Sequence, residues 1–338
     1  MKRAIGVMVL VMGCVAVFSV WGGGSADSKG TSAGTNAASA VKAGLVIEPS
    51  GLGDKSVNDQ AHDGLLRAES ELGVEVRLME PRDSSQFLDM NQRLADSGYE
   101  VIVNNAFSMA DAVAQVADSY PNVQFVILDT VVDKPNVLSA TYETHKGSFL
   151  AGVVAAMNSK SGIIGFVGGM KIPTIERFEV GYIEGAKYIN PRITVISKYV
   201  GNDANAWSDA ARGKALTEDL ASNGADVVYH AAGGTGLGVI DGCASRGIWA
   251  IGVNIDQEHI APNTVLTSML TRGDNAVYQA IEARVRGKKL GTRLVMDLNN
   301  DGVGVVLSRH LSAEVKAKVE EVKQKIIAGE IAVTDAMR

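Results

Sequence analysis

Five histidines, two cysteines and one glycine-rich stretch are the residues of this chain with the most obvious chemical potential. His62, His145, His230, His259 and His310 fall at no metal-ligand spacing, and neither HExxH nor CxxC occurs. No GxSxG elbow and no kinase or phosphate-loop signature is present, so no nucleophile stands beside a base in any recognisable pattern. Asp297-Leu-Asn-Asn-Asp-Gly302 begins like a calcium loop, but Ser308 holds the twelfth position, where a bidentate Glu is required. Its Asn300-Asp301-Gly302 core predicts instead a β-hairpin between Arg293–Leu298 and Val303–Leu307. The stretch Ala231 to Gly238, AAGGTGLG, follows the apolar run Ala225 to His230 and precedes Val239-Ile240. It reads as a strand that breaks into a turn and restarts as a helix. Glycines there let the backbone approach a ligand, and the free N–H groups of the helix start point at it. Lysine is absent and no acidic residue completes a dinucleotide fingerprint, so phosphate is not the expected ligand. Tight packing of helix on strand and contact with a ligand are equal readings of this stretch.

The elements that hold these residues follow from composition and periodicity. The 338 residues suffice for about two domains, and 46% hydrophobic with 21% charged residues is a globular balance. A net charge of −6 and a pI near 5.5 argue against nucleic acid or an anionic membrane surface as partner. Residues 1–24 read as an export segment: Lys2 and Arg3, then an apolar run to Trp21. Leu10-Val-Met-Gly-Cys14 fits a lipoprotein-processing box and makes Cys14 a lipidation candidate, although the apolar run continues beyond it. Residues 25–41, rich in Gly, Ser, Ala and Thr, read as a flexible tether, giving an exported, periplasmic, membrane-tethered protein. With Cys14 processed, Cys243 is the sole remaining thiol and a small buried hydrophobe of a helix.

From Val41 onward, apolar runs of strand length alternate with helical patterns, twice over. This predicts an α/β protein with two doubly wound parallel sheets. Ligands of such sheets bind beyond the carboxyl ends of the strands. The segments there include Glu48 to Asn58, Asn104 to Ser108, Asp129-Thr130, Tyr142 to His145, Gly201 to Ser208 and Asn254 to Gln257. They are rich in Asn, Asp, Gly and isolated aromatics and poor in bases, which suits a neutral polar ligand with a flat ring.

Six motifs in order resemble the basic membrane protein family, the substrate-binding lipoproteins of ABC importers. They are Glu48 to Asn58, Gly147 to Gly152, Gly165 to Gly169, Phe178 to Ala186, Ala231 to Gly238 and Ile251 to Gln257. The resemblance implies a two-lobed type I periplasmic-binding-protein fold whose lobes are joined by three crossovers and close on ligand. The expected lobes are 42–144 with 259–296, and 145–258 with 297–338. It further implies a non-catalytic receptor without a catalytic cofactor, working with a membrane permease.

Carried over by position, Asn58 is a polar contact, Asp129 accepts from ligand hydroxyls, and Trp207 is a stacking wall. Phe107, Tyr142 and Phe178 are further aromatic candidates, Gly234 and Thr235 present backbone and hydroxyl groups, and Asn254 and Asp256 complete the expected site. Asn58 serving its helix start, Asp129 capping a loop and Phe178 lying in the core are competing readings of the same residues. The family's usual Asp is Asn254 here, its usual Lys is Thr271, and its usual Phe is Val57. An acidic and a basic partner are thus both neutralised, and one aromatic wall shrinks while another grows to Trp207. The family includes spirochaetal purine-nucleoside and riboflavin receptors, and these departures point to riboflavin, with a purine nucleoside as the alternative.

Overall fold

The computed structural model describes residues 41–289 and 291–337. The export segment, Cys14 and all but the last residue of the tether lie outside the described residues.

The first lobe is built from β1 (Lys42–Val46), α1 (Val57–Leu72), β2 (Glu75–Met79), α2 (Phe87–Asp96), β3 (Val101–Asn104), α3 (Ala110–Ser119), β4 (Gln124–Leu128) and β5 (Val137–Tyr142). The chain then crosses into α4 (Thr144–Asn158), β6 (Ile163–Met170), α5 (Pro173–Ile189), β7 (Thr194–Gly201), α6 (Ala210–Ser222), β8 (Val227–Ala231), α7 (Gly236–Arg246), β9 (Trp249–Asn254) and β10 (Val265–Thr271). It returns for α8 (Gly273–Val285) and β11 (Arg293–Met296), and crosses again to β12 (Val303–Val305) and α9 (Ala313–Ile327).

Among the described residues the strands form two six-stranded sheets, ordered β11-β5-β4-β3-β1-β2 and β12-β10-β9-β8-β6-β7. Every pairing is parallel except β10 with β12. Strands such as Val101–Asn104 and Val227–Ala231 are buried along their whole length, because helices cover both faces. Cys243 is fully buried in α7 with its thiol pushed up by burial, the reactivity of a packing residue.

Two expectations need correction. Residues 259–296 do not all belong to the first lobe, because β10 pairs with β9 in the second sheet and the chain crosses back only after Thr271. Arg293–Met296 and Val303–Val305 are not a hairpin, because they join different sheets, β11 beside β5 and β12 beside β10. The calcium-like segment between them is the third crossover. Its side chains are spent on its own backbone: Asp297 accepts from Asn299 and Asn300 N–H at 2.8 and 3.1 Å, and Asn300 accepts from Asp297 and Gly302 N–H at 2.9 and 3.0 Å. The three crossovers lie together, with Glu143 N–H donating to Met296 O and Arg272 N–H to Gly302 O, both at 2.9 Å.

Two of the resemblance motifs have a packing explanation. A Cβ on Gly185 would stand 1.9 Å from Phe149 O, and one on Gly152 would stand 2.1 Å from Tyr182 O. These glycines let α4 and α5 meet backbone to backbone, which seats α4 directly after the first crossover. Gly64 does the same for the second, where a Cβ would lie 2.5 Å from Asp274 O of α8.

Candidate functional site

The carboxyl ends of both sheets open on one cavity of about 830 Å³ between the lobes. Of the expected site residues, Phe107, Asp129, Tyr142, Phe178, Trp207, Gly234 and Asn254 line it. Asn58, Thr235 and Asp256 do not, and each has a clear physical reason.

Asn58 is fully buried behind the wall and organises the loop after β1. Its Oδ1 accepts from Glu48 N–H at 3.0 Å and from Asn105 Nδ2 at 2.7 Å, while its Nδ2 donates to Ser50 Oγ at 2.9 Å and Gly51 O at 2.8 Å. It does not cap α1 either. Asp54 does that, accepting from the N–H groups of Ser56, Asn58 and Asp59 at 2.9, 3.0 and 3.2 Å. Thr235 Oγ1 donates to Ala206 O at 2.8 Å and accepts from Asp209 N–H at 2.7 Å, so it braces the loop carrying Trp207. Asp256 is exposed and accepts from Glu258 N–H at 3.0 Å, closing a short 3-10 turn.

Trp207 ends the short 3-10 turn Ala204–Trp207 after β7. The six-membered edge of its indole lies on Gly169, where a Cβ would come within 2.2 Å of Cζ3 and 2.5 Å of Cε3. The glycine-rich turn supports the same residue from beneath, a Cβ on Gly234 meeting Trp207 O at 3.2 Å. AAGGTGLG therefore combines both readings, close packing and cavity lining. Phe178 does so too: it is 5% exposed, part of the main core and part of the wall. Met170, Ile172 and Ile175 extend this apolar side, and Phe87 faces in from the first lobe.

Asn254 and Thr271 hold one another. Thr271 Oγ1 donates to Asn254 Oδ1 at 3.0 Å, and Asn254 Nδ2 donates across the cleft to Ser56 Oγ at 2.8 Å. Gln60, which the sequence did not single out, sits at this junction and is 6% exposed. Its Nε2 donates to Asn254 O at 2.8 Å and to Thr271 O, and its Oε1 accepts from Gly273 N–H at 3.0 Å. It presents as an ordinary polar residue of an amphipathic helix, so no local pattern distinguishes it.

The polar lining is acidic: Glu48, Asp54, Asp83 and Asp129 face the cavity against the single cation Arg82. Burial raises the carboxyl of Glu48, opposed by a hydrogen bond from Ser108. Burial also raises Asp54, opposed by its three backbone donors. Asp129 is pushed up to about 7 by burial, with Arg177 pulling the other way. Arg177 is itself buried in a cluster with Asp335 at 2.8 Å and His145 Nδ1 at 3.1 Å. Burial, and then the Arg177 charge, hold His145 down at about 4, so the imidazole is neutral. No group of His, Cys, Asp or Glu among the described residues could hold a metal ion.

This architecture matches known proteins along nearly all of its length. The family model for PnrA-like ABC transporter substrate-binding proteins, Bmp, covers residues 40–336. The chain is 34% identical to the ABC transporter nucleoside-binding protein BmpA of Lactococcus lactis subsp. cremoris, covering 98% of this chain and 99% of that one. It is 30% identical to basic membrane protein D of Borreliella burgdorferi, over 83% and 84% of the two chains. A crystal structure of ABC transporter solute-binding proteins from Aeropyrum pernix K1 superposes with a TM-score of 0.76 at 28% identity, covering 87% and 93%. The fold is therefore the two-lobed solute-binding fold of ABC systems, built for capture and not for catalysis. The chain belongs to the PnrA-like Bmp family of ABC transporter substrate-binding proteins.

Proposed function

We propose that this receptor captures riboflavin and delivers it to the membrane permease of an ABC importer. The observation that carries the reading is the pairing of a broad aromatic wall with a neutralised polar end. The six-membered edge of Trp207 packs on Gly169 at one side of a cavity of about 830 Å³. At the positions where the family's usual acid and base stand, Asn254 and Thr271 are hydrogen-bonded to each other and to Ser56. Those side chains are committed to protein partners, so the ring and the remaining polar wall must supply the grip. Four carboxylates against one guanidinium disfavour a phosphate ester, which supports an unphosphorylated ligand. A cavity of this size is ample for an isoalloxazine with its side chain. A purine nucleoside is the second reading, favoured by the name of the Lactococcus relative.

The test is the absorption and fluorescence spectrum of the purified protein. A yellow sample with quenched flavin emission, recovered on denaturation, is expected. A colourless sample that also fails to quench added riboflavin refutes the flavin, and purine nucleosides are then titrated. Export by residues 1–24 and lipid tethering through Cys14 belong to the same proposal. Labelled palmitate should be incorporated by the full chain and not by Cys14→Ser. No helix among the described residues is long and apolar enough to cross a membrane.

A further inference from the structure

Gln257 reaches across the cleft with its side-chain amide, and a buried histidine behind it fixes how that amide points. Gln257 follows β9 and is 1% exposed. Its backbone N–H donates to Ser268 Oγ at 3.0 Å, and its Oε1 accepts from Val253 N–H at 3.0 Å, both partners in the second lobe. Its Nε2 donates to Lys55 O of the first lobe at 2.9 Å. Gly252 makes room for this folded-back side chain, since a Cβ there would stand 2.7 Å from Gln257 Oε1. With a backbone donor at one end of the amide and a backbone acceptor at the other, exchanging its oxygen and nitrogen would set donor against donor and acceptor against acceptor.

His230 completes the arrangement. It is fully buried in β8, and its Nε2 lies 3.0 Å from Gln257 Oε1. That oxygen only accepts, so Nε2 carries the proton and Nδ1 is bare. Nδ1 makes no hydrogen bond among the described residues. Burial holds the imidazole down at about 4, with the Gln257 bond pulling the other way, so the ring is neutral. The start of α7 fixes the ring from its other side: a Cβ on Gly236 would come within 2.0 Å of Cε1 and 2.3 Å of Nδ1. An apolar side chain would fill this place without stranding a nitrogen, so what histidine adds is the donor at Nε2. Neither His230 nor Gln257 belongs to the cavity wall.

We infer that His230 is a positioning residue for closure: by donating to Gln257 Oε1 it keeps Gln257 Nε2 aimed at Lys55 O, so the second lobe carries a preformed tie that the first lobe meets as the cleft shuts. Every other anchor of the Gln257 amide lies within the second lobe, so its direction survives when the lobes part. Little side-chain ordering is then left to oppose closing. The inference rests on the two-lobed capture architecture and not on the identity of the ligand.

The experiment uses the full-length chain and follows release of riboflavin and of adenosine by stopped-flow. His230→Leu removes the donor without adding bulk, and His230→Gln supplies a donor at similar reach. For whichever ligand is held, His230→Leu should release about two- to fivefold faster with little change in capture rate, and His230→Gln should release like the parent. His230→Leu/Gln257→Leu should release no faster than Gln257→Leu, because the histidine acts only through that amide. A long-range 1H–15N spectrum at neutral pH should show the His230 ring, identified by its disappearance in His230→Gln, as the Nε2–H tautomer. An unchanged release rate in His230→Leu, equal acceleration in His230→Gln, additive effects in the double variant, or an Nδ1–H tautomer overturns the inference. A parent that holds neither compound refutes the ligand reading alone. The ligand-free chains are then compared by small-angle scattering, where His230→Leu must enlarge the radius of gyration and His230→Gln must not, or the positioning role falls.

Discussion

Gly169→Ala is the sharpest probe of the aromatic wall, because it alters one residue that offers no side chain to the ligand. The added Cβ would stand 2.2, 2.5 and 2.9 Å from Cζ3, Cε3 and Cη2 of Trp207, and these are its three nearest neighbours. The indole edge must retreat by roughly 1.2 Å to regain an ordinary 3.4 Å contact. Gly169 has no positive φ, so the backbone accepts alanine and the closest clash is with the ring. Stacking of a flat base or ring on an aromatic side chain is worth about 1–3 kcal/mol, so full loss in Trp207→Ala should weaken binding by more than tenfold. Gly169→Ala, which tilts the platform without removing it, should lose about half that free energy. The decisive measurement is the double variant. Once Trp207 is alanine the three closest contacts of the new methyl are gone, so Gly169→Ala/Trp207→Ala should bind about as weakly as Trp207→Ala alone. Additive losses in a fluorescence titration would show that Gly169 acts elsewhere and would sink this account of the wall.

Three further outcomes follow from groups already described. Burial raises the Asp129 carboxyl to about 7 from an ordinary value near 3.9, so the folded chain retains a proton that the unfolded chain has released. Ligand-free stability should therefore fall as pH rises from about 4 to about 7, and Asp129→Asn should flatten that slope in thermal melts. Asp335→Asn leaves the Arg177 guanidinium buried without its carboxylate, a loss of about 3 kcal/mol that chemical denaturation would register. Gly185→Ala drives a methyl against Phe149 O at 1.9 Å, and it should destabilise the second lobe by at least about 1–3 kcal/mol in the same assay.

The sheets were legible because strands buried on both faces must be continuously apolar, and runs such as Val101-Ile-Val103 can hardly be anything else. The order of the last strands was not. Arg293–Met296, an Asn-Asp-Gly turn and Val303–Val305 satisfy a hairpin locally, and only the free edges of two separate sheets decide that they part company. The final helix α9 carries its own signal, with Ser312 accepting from Val315 N–H at 3.2 Å as N-cap, yet nothing local says which lobe it covers. Within the site, Trp207 was readable because an indole at a loop junction has few structural uses. Asn58 misled for the opposite reason. An Asn near a helix start serves a ligand, a cap or a loop equally well, and the choice rests on Asn105 and Ser50, which are distant in sequence or unremarkable in type.

The two lobes place a strained residue at equivalent strand ends. Asp129 follows β4 at φ 64° and Asn254 ends β9 at φ 67°, each strand third in the order of its sheet. Their side chains have opposite fates. The Asp129 carboxylate has no hydrogen-bond partner among the described residues, whereas Asn254 is bonded to Thr271 and reaches across the cleft to Ser56 at 2.8 Å. A second tie lies beside it, Gln257 Nε2 donating to Lys55 O at 2.9 Å. The first lobe thus leaves its strained residue on the cavity wall, and the second spends its counterpart on holding the lobes together. Ser56→Ala removes one bond of the closed form and nothing of the ligand wall's ring stack, so its effect belongs to closure. The loss should be about 0.5–1.5 kcal/mol, read in stopped-flow as a two- to tenfold faster release with little change in capture rate. Asn254→Ala should release at least as fast, since it breaks the same bond from the other side. An unchanged release rate in Ser56→Ala would mean that the Ser56–Asn254 contact does not hold the cleft shut.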